Sequence, residues 1–461
     1  MPNFTLTWVL ILSLLSPFVW AQSLSTKIDA IIAQQLPHAT VAVLVKDAKT
    51  GQIIYRRNAD KLLAPASSMK LLTAAAALYQ LQPNYRFSTR LSQKGDNFYI
   101  SFTGAPDFTR QNLKQLLSSL KKSAKILQGN IILDISRFKP PYYSGGVSYD
   151  DLGWYYAAPE TAIIIDENAV TYELIPAKKL GKPIKIKAQA SGQEINLINQ
   201  VITVSKEQEK DHCSLNIALE NNNSLRLFGC LAISDKPVIM QFAIPDPLFL
   251  AQQQIKAYLR QQFKGKLMMG QTPPDAKLIA DCQSAELSQL VVHMLKQSDN
   301  LYANSLTRTL GYVISKEGTA KQGAFALRKI VAEHTQLDMT QVAIADGMGT
   351  RYNLISPEQM VNLLSEIYHD KTLYPLFLNA LPQAGVSGTL QHRMEKTSLN
   401  KRVFAKTGTM HDISSLSGYL LSPGTSPIIF SIIINGINTP ISTAKALEER
   451  ILEIIHNTPK P

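Results

Sequence analysis

Several kinds of chemistry have nothing to stand on in this chain. Its eight histidines are dispersed, and neither Cys-x-x-Cys nor His-x-x-x-His occurs, so no metal-ligand spacing stands out. A Gly-x-Ser-x-Gly elbow and a glycine-rich phosphate loop are also missing, which removes the α/β-hydrolase and P-loop routes and leaves no call for a cofactor. Beyond the amino terminus no stretch reaches the length of apolar sequence a membrane span needs, and "PIIFSIIING" reads as a buried strand. Charged residues make up 18% and hydrophobic ones 45%, which is neither disordered nor fibrous. There are only three cysteines.

The amino terminus is different. An apolar run from Trp8 to Trp20 ends at Val19-Trp20-Ala21, the small-x-small pattern of a signal peptide cleaved before Gln22; the alternative is an uncleaved anchor. Residues 1–21 are therefore expected to direct export, and cysteines suit that destination. A hairpin turning at Asn221-Asn222 sets Cys213 opposite Cys230, within reach of a disulfide, and leaves Cys282 free. The alternative is three unpaired small core residues. A formal charge of +12 suits an anionic cell-wall polymer or membrane surface. No nucleic-acid-binding motif accompanies it, so no nucleic-acid partner is expected.

Along the chain, "ATVAVLVKDAKTGQIIYRRNAD" reads as strand, turn and strand. Its Lys49-Thr50-Gly51 then has a local explanation, because the glycine allows the positive φ of the turn. "PASSMKLLTAAAALYQL" reads as a helix apolar almost all round, as at the centre of a domain. Between 86 and 270 short strands dominate, as in "NFYISFTG" and "GNIILDI", and suggest a β-rich insertion of one or two subdomains. Helices return near Ser284, and "RVFAKTGTM", "SSLSGYLLS" and "PIIFSIIIN" form three meander strands. A last helix carries Leu447, Ile451, Ile454 and Ile455 on one face. The expectation is an α+β fold in which a domain of residues 22–85 plus 271–461 is split by a guest spanning 86–270.

The remaining chemistry is a serine–lysine arrangement in three pieces. Ser67 and Lys70 are three apart on the buried helix, so the amine reaches the hydroxyl. Burial and a second nearby cation would both keep that lysine neutral. Ser298-Asp299-Asn300 falls between two helical stretches, where a loop presents Ser298 and Asn300. Lys406-Thr407-Gly408-Thr409 lies on a sheet strand: Lys406 would supply the second cation, Thr407 and Thr409 carboxylate-binding hydroxyls, and Gly408 room for close approach. Serine and lysine at the same spacing recur at Ser118/Lys121, Ser119/Lys122 and Ser398/Lys401. Only one set follows the order buried helix, interhelical loop, sheet strand.

Ser-x-x-Lys, Ser-Asp-Asn and Lys-Thr-Gly form the signature of penicillin-binding proteins and class A β-lactamases. With "GAPDFT", "YYAAPETAIIIDENAV", "IADGMGTRYNLISPEQM" and "SGYLLSP", the chain resembles the low-molecular-mass class C penicillin-binding proteins, the D-alanyl-D-alanine carboxypeptidase/endopeptidase family. In that family extra domains interrupt a transpeptidase-like domain between the first two motifs, as the long stretch from Lys70 to Ser298 requires. The resemblance implies Ser67 as nucleophile, Lys70 as its base and Ser298 as proton donor to the leaving amine. Asn300 would bind the peptide amide, and Lys406, Thr407 and Thr409 the terminal carboxylate. The Ser67 and Thr409 N–H groups would form the oxyanion hole.

Asp151 matches an aspartate facing the amino end of diaminopimelate, and Arg351 an arginine near its carboxylate end. For these two and for His411 an ordinary surface role is the alternative. "DGMGTR" is one residue shorter than the family's usual Asp-Gly-Ser-Gly-Leu-Ser-Arg, and His411 replaces a glutamine. The implied partners are peptidoglycan stem peptides and, as covalent inhibitors, β-lactams. A β-lactamase on the same scaffold and a non-catalytic binding module are the rival readings.

Overall fold

The computed structural model describes residues 24–123, 126–189, 195–221 and 223–458; the expected signal segment, 1–21, lies outside them. No helix of the described residues is long and apolar enough to cross a membrane. The fold is α+β and separates into two compact units, Met1–Gln82 with Val291–Asp299 and Leu327–Pro461, and Pro83–Leu290 with Asn300–Ala326.

In the first unit a helix over residues 24–35 (α1) leads into strands Thr40–Asp47 (β1) and Ile53–Arg57 (β2). A 3-10 turn, Ala66–Met69, runs into helix Lys70–Leu81 (α2). Helix Leu287–Gln297 (α3) enters this unit at Val291, and helix Pro357–His369 (α4) follows. Strands Val403–Met410 (β3), Ile413–Leu420 (β4) and Ile428–Asn435 (β5) and helix Ile441–Asn457 (α5) also belong to it.

The five strands form one antiparallel sheet in the order β3-β4-β5-β1-β2. The near-continuous apolar sequence of β5 and β1 reflects burial on both faces, since alternation is needed only where one face meets water. On one face, Leu24, Ile28 and Ile32 of α1 and Leu447, Ile451 and Ile455 of α5 pack on Val41, Val43, Val45, Ile432 and Ile434. Ile454 sits at the margin of that cluster, and Leu452 joins its centre. α4 also packs against the sheet, started by a Ser356 cap whose hydroxyl accepts from Gln359 N, with Pro357 as its first residue. Between β1 and β2, Asp47 Oδ1 accepts from the N–H groups of Lys49 and Thr50 at 3.0 Å each, and Gly51 has φ 74°. The first Lys-Thr-Gly is thus a turn.

The second unit holds a five-stranded sheet in the order Leu267–Met269, Ile131–Asp134, Asn97–Ser101, Ser88–Lys94, Lys277–Gln283, and two three-stranded sheets. The Lys277–Gln283 strand lies beyond residue 270 yet pairs with Ser88–Lys94, so strand pairing carries the β-rich region past the point where composition changes. The cysteine hairpin corrects the expected register by one residue. Ser224 faces Glu220 across a longer loop with Asn223 at φ 55°, so Cys230 N reaches Ser214 O and Cys213 lies just past the paired residues. The Cys213 and Cys230 sulfurs nonetheless bond at 2.05 Å with Cα atoms 5.9 Å apart, because that span tolerates a diagonal pair. Cys282 is free and buried.

Candidate active site

The nucleophile candidate sits on a tighter turn than a continuous helix would supply. Residues Ala66–Met69 are 3-10, and the α-helix begins only at Lys70. Residues i and i+3 eclipse in a 3-10 turn, so Ser67 and Lys70 line up, and Lys70 Nζ donates to Ser67 Oγ at 2.8 Å. Ala66 is held at φ 46°, a region alanine enters only at a cost of about 1–2 kcal/mol. Tertiary contacts hold it there. Ser415 Oγ donates to Pro65 O at 2.6 Å and pairs with Ser68 Oγ at 2.8 Å. Gly408 on β3 lies against Pro65 O and Ala66 Cβ, and Gly349 against Ala66 O, where any Cβ would collide. Both glycines are needed for close approach.

Lys70 and Lys406 are fully buried. Burial pushes the Lys70 amine down to about 7, against the opposing pull of the Asp299 and Asp346 carboxylates. Lys70 Nζ also donates to Met348 O at 2.9 Å. Lys406 is held well below its ordinary range, first by burial and then by the charge of Lys70. Its amine donates to Ser298 Oγ at 2.9 Å and to Thr407 O at 2.7 Å. Ser298, at φ 60°, begins the two-residue link between α3 and the helix Asn300–Ser315. Two serine–lysine pairs thus occupy one unit of the chain, each hydroxyl held by a buried amine. The arrangement suits a hydroxyl nucleophile with a neutral amine as proton acceptor, and a second hydroxyl able to relay a proton.

Of the other candidates, Thr407 Oγ1 donates to Thr389 Oγ1 at 2.7 Å, while Thr409, Arg351 and His411 are exposed. Asn300 opens its helix in the second unit, where its amide donates to Tyr156 O at 2.8 Å. In the same unit, Asp151 accepts from the Tyr156 hydroxyl at 3.0 Å.

The family model for D-Ala-D-Ala carboxypeptidase 3 (S13) matches residues 24–456. The chain belongs to this family. It is accordingly an enzyme of the D-Ala-D-Ala carboxypeptidase type. It is 31% identical over 443 residues to the D-alanyl-D-alanine carboxypeptidase DacB of Haemophilus influenzae, covering 92% of each chain. The crystal structure of penicillin binding protein 4 (dacB) from Haemophilus influenzae superposes with TM-score 0.83 at 28% identity, over 93% of this chain and 99% of that one. The same protein complexed with a β-lactam matches with TM-score 0.79 at 29% identity, over the same shares of the two chains.

Some residues that shape this S13 site have no role that a local pattern assigns. Asp346 and Asn353 are fully buried and organise the loop whose Met348 carbonyl faces Lys70. In the sequence, Asp-Gly-Met-Gly is marked only by its resemblance to the family's Asp-Gly-Ser-Gly-Leu-Ser-Arg, which assigns Asp346 no role. Ser68, Ser415 and Thr389 are small polar residues with no pattern of their own, and their roles appear only once distant segments meet.

Proposed function

We propose that the chain cleaves D-alanyl-D-alanine termini or cross-links of peptidoglycan stem peptides through an acyl-enzyme at Ser67. The observation that carries this reading is the 2.8 Å contact between Ser67 Oγ and a buried Lys70 amine held near neutrality. Ser67 Oγ attacks the carbonyl carbon of the penultimate D-alanine while Lys70 takes the hydroxyl proton. The C–N bond to the terminal residue then breaks, and Ser298, held by Lys406, passes a proton to the leaving amine. Water cleaves the resulting ester, which restores Ser67 and releases the shortened peptide. The N–H groups of Ser67 and Thr409 stabilise the oxyanion, a contribution of about 2.7–4 kcal/mol per donor in comparable sites.

Lys406, Thr407 and Thr409 receive the terminal carboxylate, with Gly408 giving room for the strand's approach. Asn300 binds the peptide amide. Asp151 and Arg351 meet the amino and carboxylate ends of the diaminopimelate side chain. β-Lactams imitate the scissile amide and acylate the same serine, a reading supported by the β-lactam complex of the Haemophilus influenzae relative. Export to the periplasm is supported by the amino-terminal run ending at Ala21 and by the Cys213–Cys230 pair.

The test is incubation with a labelled penicillin, following the mass and lifetime of the adduct. A long-lived adduct that disappears in Ser67→Ala is the expected result. Rapid turnover of the adduct would indicate a β-lactamase, and absence of any adduct a non-catalytic binding module.

A further inference from the structure

Lys70 is held from a third direction. Residues 346–353 form a loop wrapped around one buried carboxylate. Asp346 Oδ1 accepts from the N–H groups of Met348 at 2.9 Å, Gly349 at 2.7 Å and Thr350 at 3.3 Å. Its other oxygen accepts from the Thr350 hydroxyl and, at 3.0 Å, from Asn353 Nδ2. A carboxylate surrounded by donors in this way is a rigid knot, because each N–H is fixed by the turn it closes.

Two contacts tie the knot to the catalytic helix. Thr73 Oγ1, one turn beyond Lys70 on α2, donates to Gly347 O at 2.7 Å, and Lys70 Nζ donates to Met348 O at 2.9 Å. Gly349 at φ 101° then passes against Ala66 O, so the same loop bounds the turn that carries Ser67. Among the described residues, the ionisable groups acting on the Lys70 amine include Asp299 from the link after α3 and Asp346 from this loop, and the charge of that amine acts in turn on Lys406 from β3.

We propose that Asp346 is a positioning residue for the reaction: it fixes the Met348 carbonyl as the second acceptor of the Lys70 amine and places a negative charge near that amine. Asp346 touches no substrate and acts through Lys70. The arrangement has a chemical logic. Lys70 Nζ donates to Ser67 Oγ; to take the serine proton, the neutral amine must turn its lone pair to the hydroxyl, which requires its own N–H bonds to point elsewhere. The Met348 carbonyl receives one of them. When the amine becomes an ammonium ion, the Asp346 charge stabilises it without competing for the proton, since the carboxylate's lone pairs are already engaged by the loop.

This inference rests on the reading of Lys70 as proton acceptor. The test uses full-length Asp346→Asn, in which the amide NH₂ meets the donors of Thr350 and Asn353. Stopped-flow acylation by a fluorescent penicillin gives the non-covalent dissociation constant and the acylation rate constant separately, at several pH values.

The expected result is a rate constant about 10- to 100-fold lower with the dissociation constant unchanged. In addition, the acid limb of the profile moves to lower pH by about half a unit or more, because removing an anion disfavours the charged amine. A folded variant that acylates at the wild-type rate overturns the proposal. So does one that is slowed while its acid limb stays in place, since that is the signature of a purely structural role.

Should Asp346→Asn fail to fold, Thr350→Val removes one donor and keeps the charge. A rate constant a few-fold lower at unchanged dissociation constant supports the proposal, and an unchanged rate constant overturns it. Lys70→Met is run alongside. If it acylates normally, the proton-acceptor reading fails and this inference with it. If it is inert while Asp346→Asn matches wild type, only this inference fails.

Discussion

The most direct consequence of the buried Lys70 amine is a dependence of acylation on pH that can be worked through in advance. In water a lysine titrates near 10.5, and here burial brings it down to about 7. That displacement corresponds to about 5 kcal/mol against the charged form. The sign follows directly. In the proposed mechanism the neutral amine accepts the Ser67 proton, so acylation needs the deprotonated form and is lost as pH falls through 7. The reactive fraction is about nine-tenths at pH 8, half at pH 7 and one-tenth at pH 6, with a limiting tenfold loss per pH unit below that.

The assay is the second-order rate constant for acylation by a fluorescent penicillin between pH 5 and 9, which reports the free enzyme. Asp299 pulls the amine upward and accepts a contact from His293 Nε2 at 3.3 Å, so the profile is repeated in His293→Gln to separate the imidazole from the amine. A single-proton limb near pH 7, kept in His293→Gln and shifted downward in Asp299→Asn, is the expected outcome. A profile flat from pH 5 to 8, or one rising only towards pH 10, would show that Lys70 does not accept the proton as a neutral amine.

Two further predictions concern packing. Gly408→Ala places a methyl group against Pro65 O and Ala66 Cβ, so β3 or the Ser67 turn must retreat. A displacement of about 1 Å lowers acylation by about 100-fold, while Gly51→Ala in the other Lys-Thr-Gly costs only about 1 kcal/mol of stability. Equal acylation by the two variants would refute the account. In the second unit, Glu160 and Arg308 form a buried ion pair at 2.7 Å, with Arg308 also donating to Pro141 O at 2.7 Å. Glu160→Gln should destabilise that unit by about 3–5 kcal/mol in urea titrations, and changing both residues to Met should recover little of it, because Ser144, Asn304 and the Pro141 carbonyl lose their buried partners. An unchanged midpoint in Glu160→Gln would remove the pair from the stabilising contacts.

Much of this protein was legible one segment at a time. Local patterns are enough where a short stretch carries its own reason, as in the turn at Asp47–Gly51, the meander β3-β4-β5 and the face of Leu447, Ile451 and Ile455 on α5. The three motifs proposed to carry chemistry were readable for the same cause, since each is a short fixed spacing along the chain. The register of the cysteine hairpin was off by one residue because loop length, not the position of the asparagines, sets strand pairing.

Tertiary structure alone decided the rest. The return of Lys277–Gln283 to Ser88–Lys94 depends on a partner far away in the chain. The 3-10 form of the Ser67 turn and the positive φ of Ala66 are imposed from outside by Ser415, Gly408 and Gly349, against the local preference for a continuous helix. The lowered pKa of Lys70 and the burial of Asp346 are likewise properties of the assembled surroundings. A charge is shifted by what is packed around it, and packing between distant segments leaves no mark on the sequence of either one.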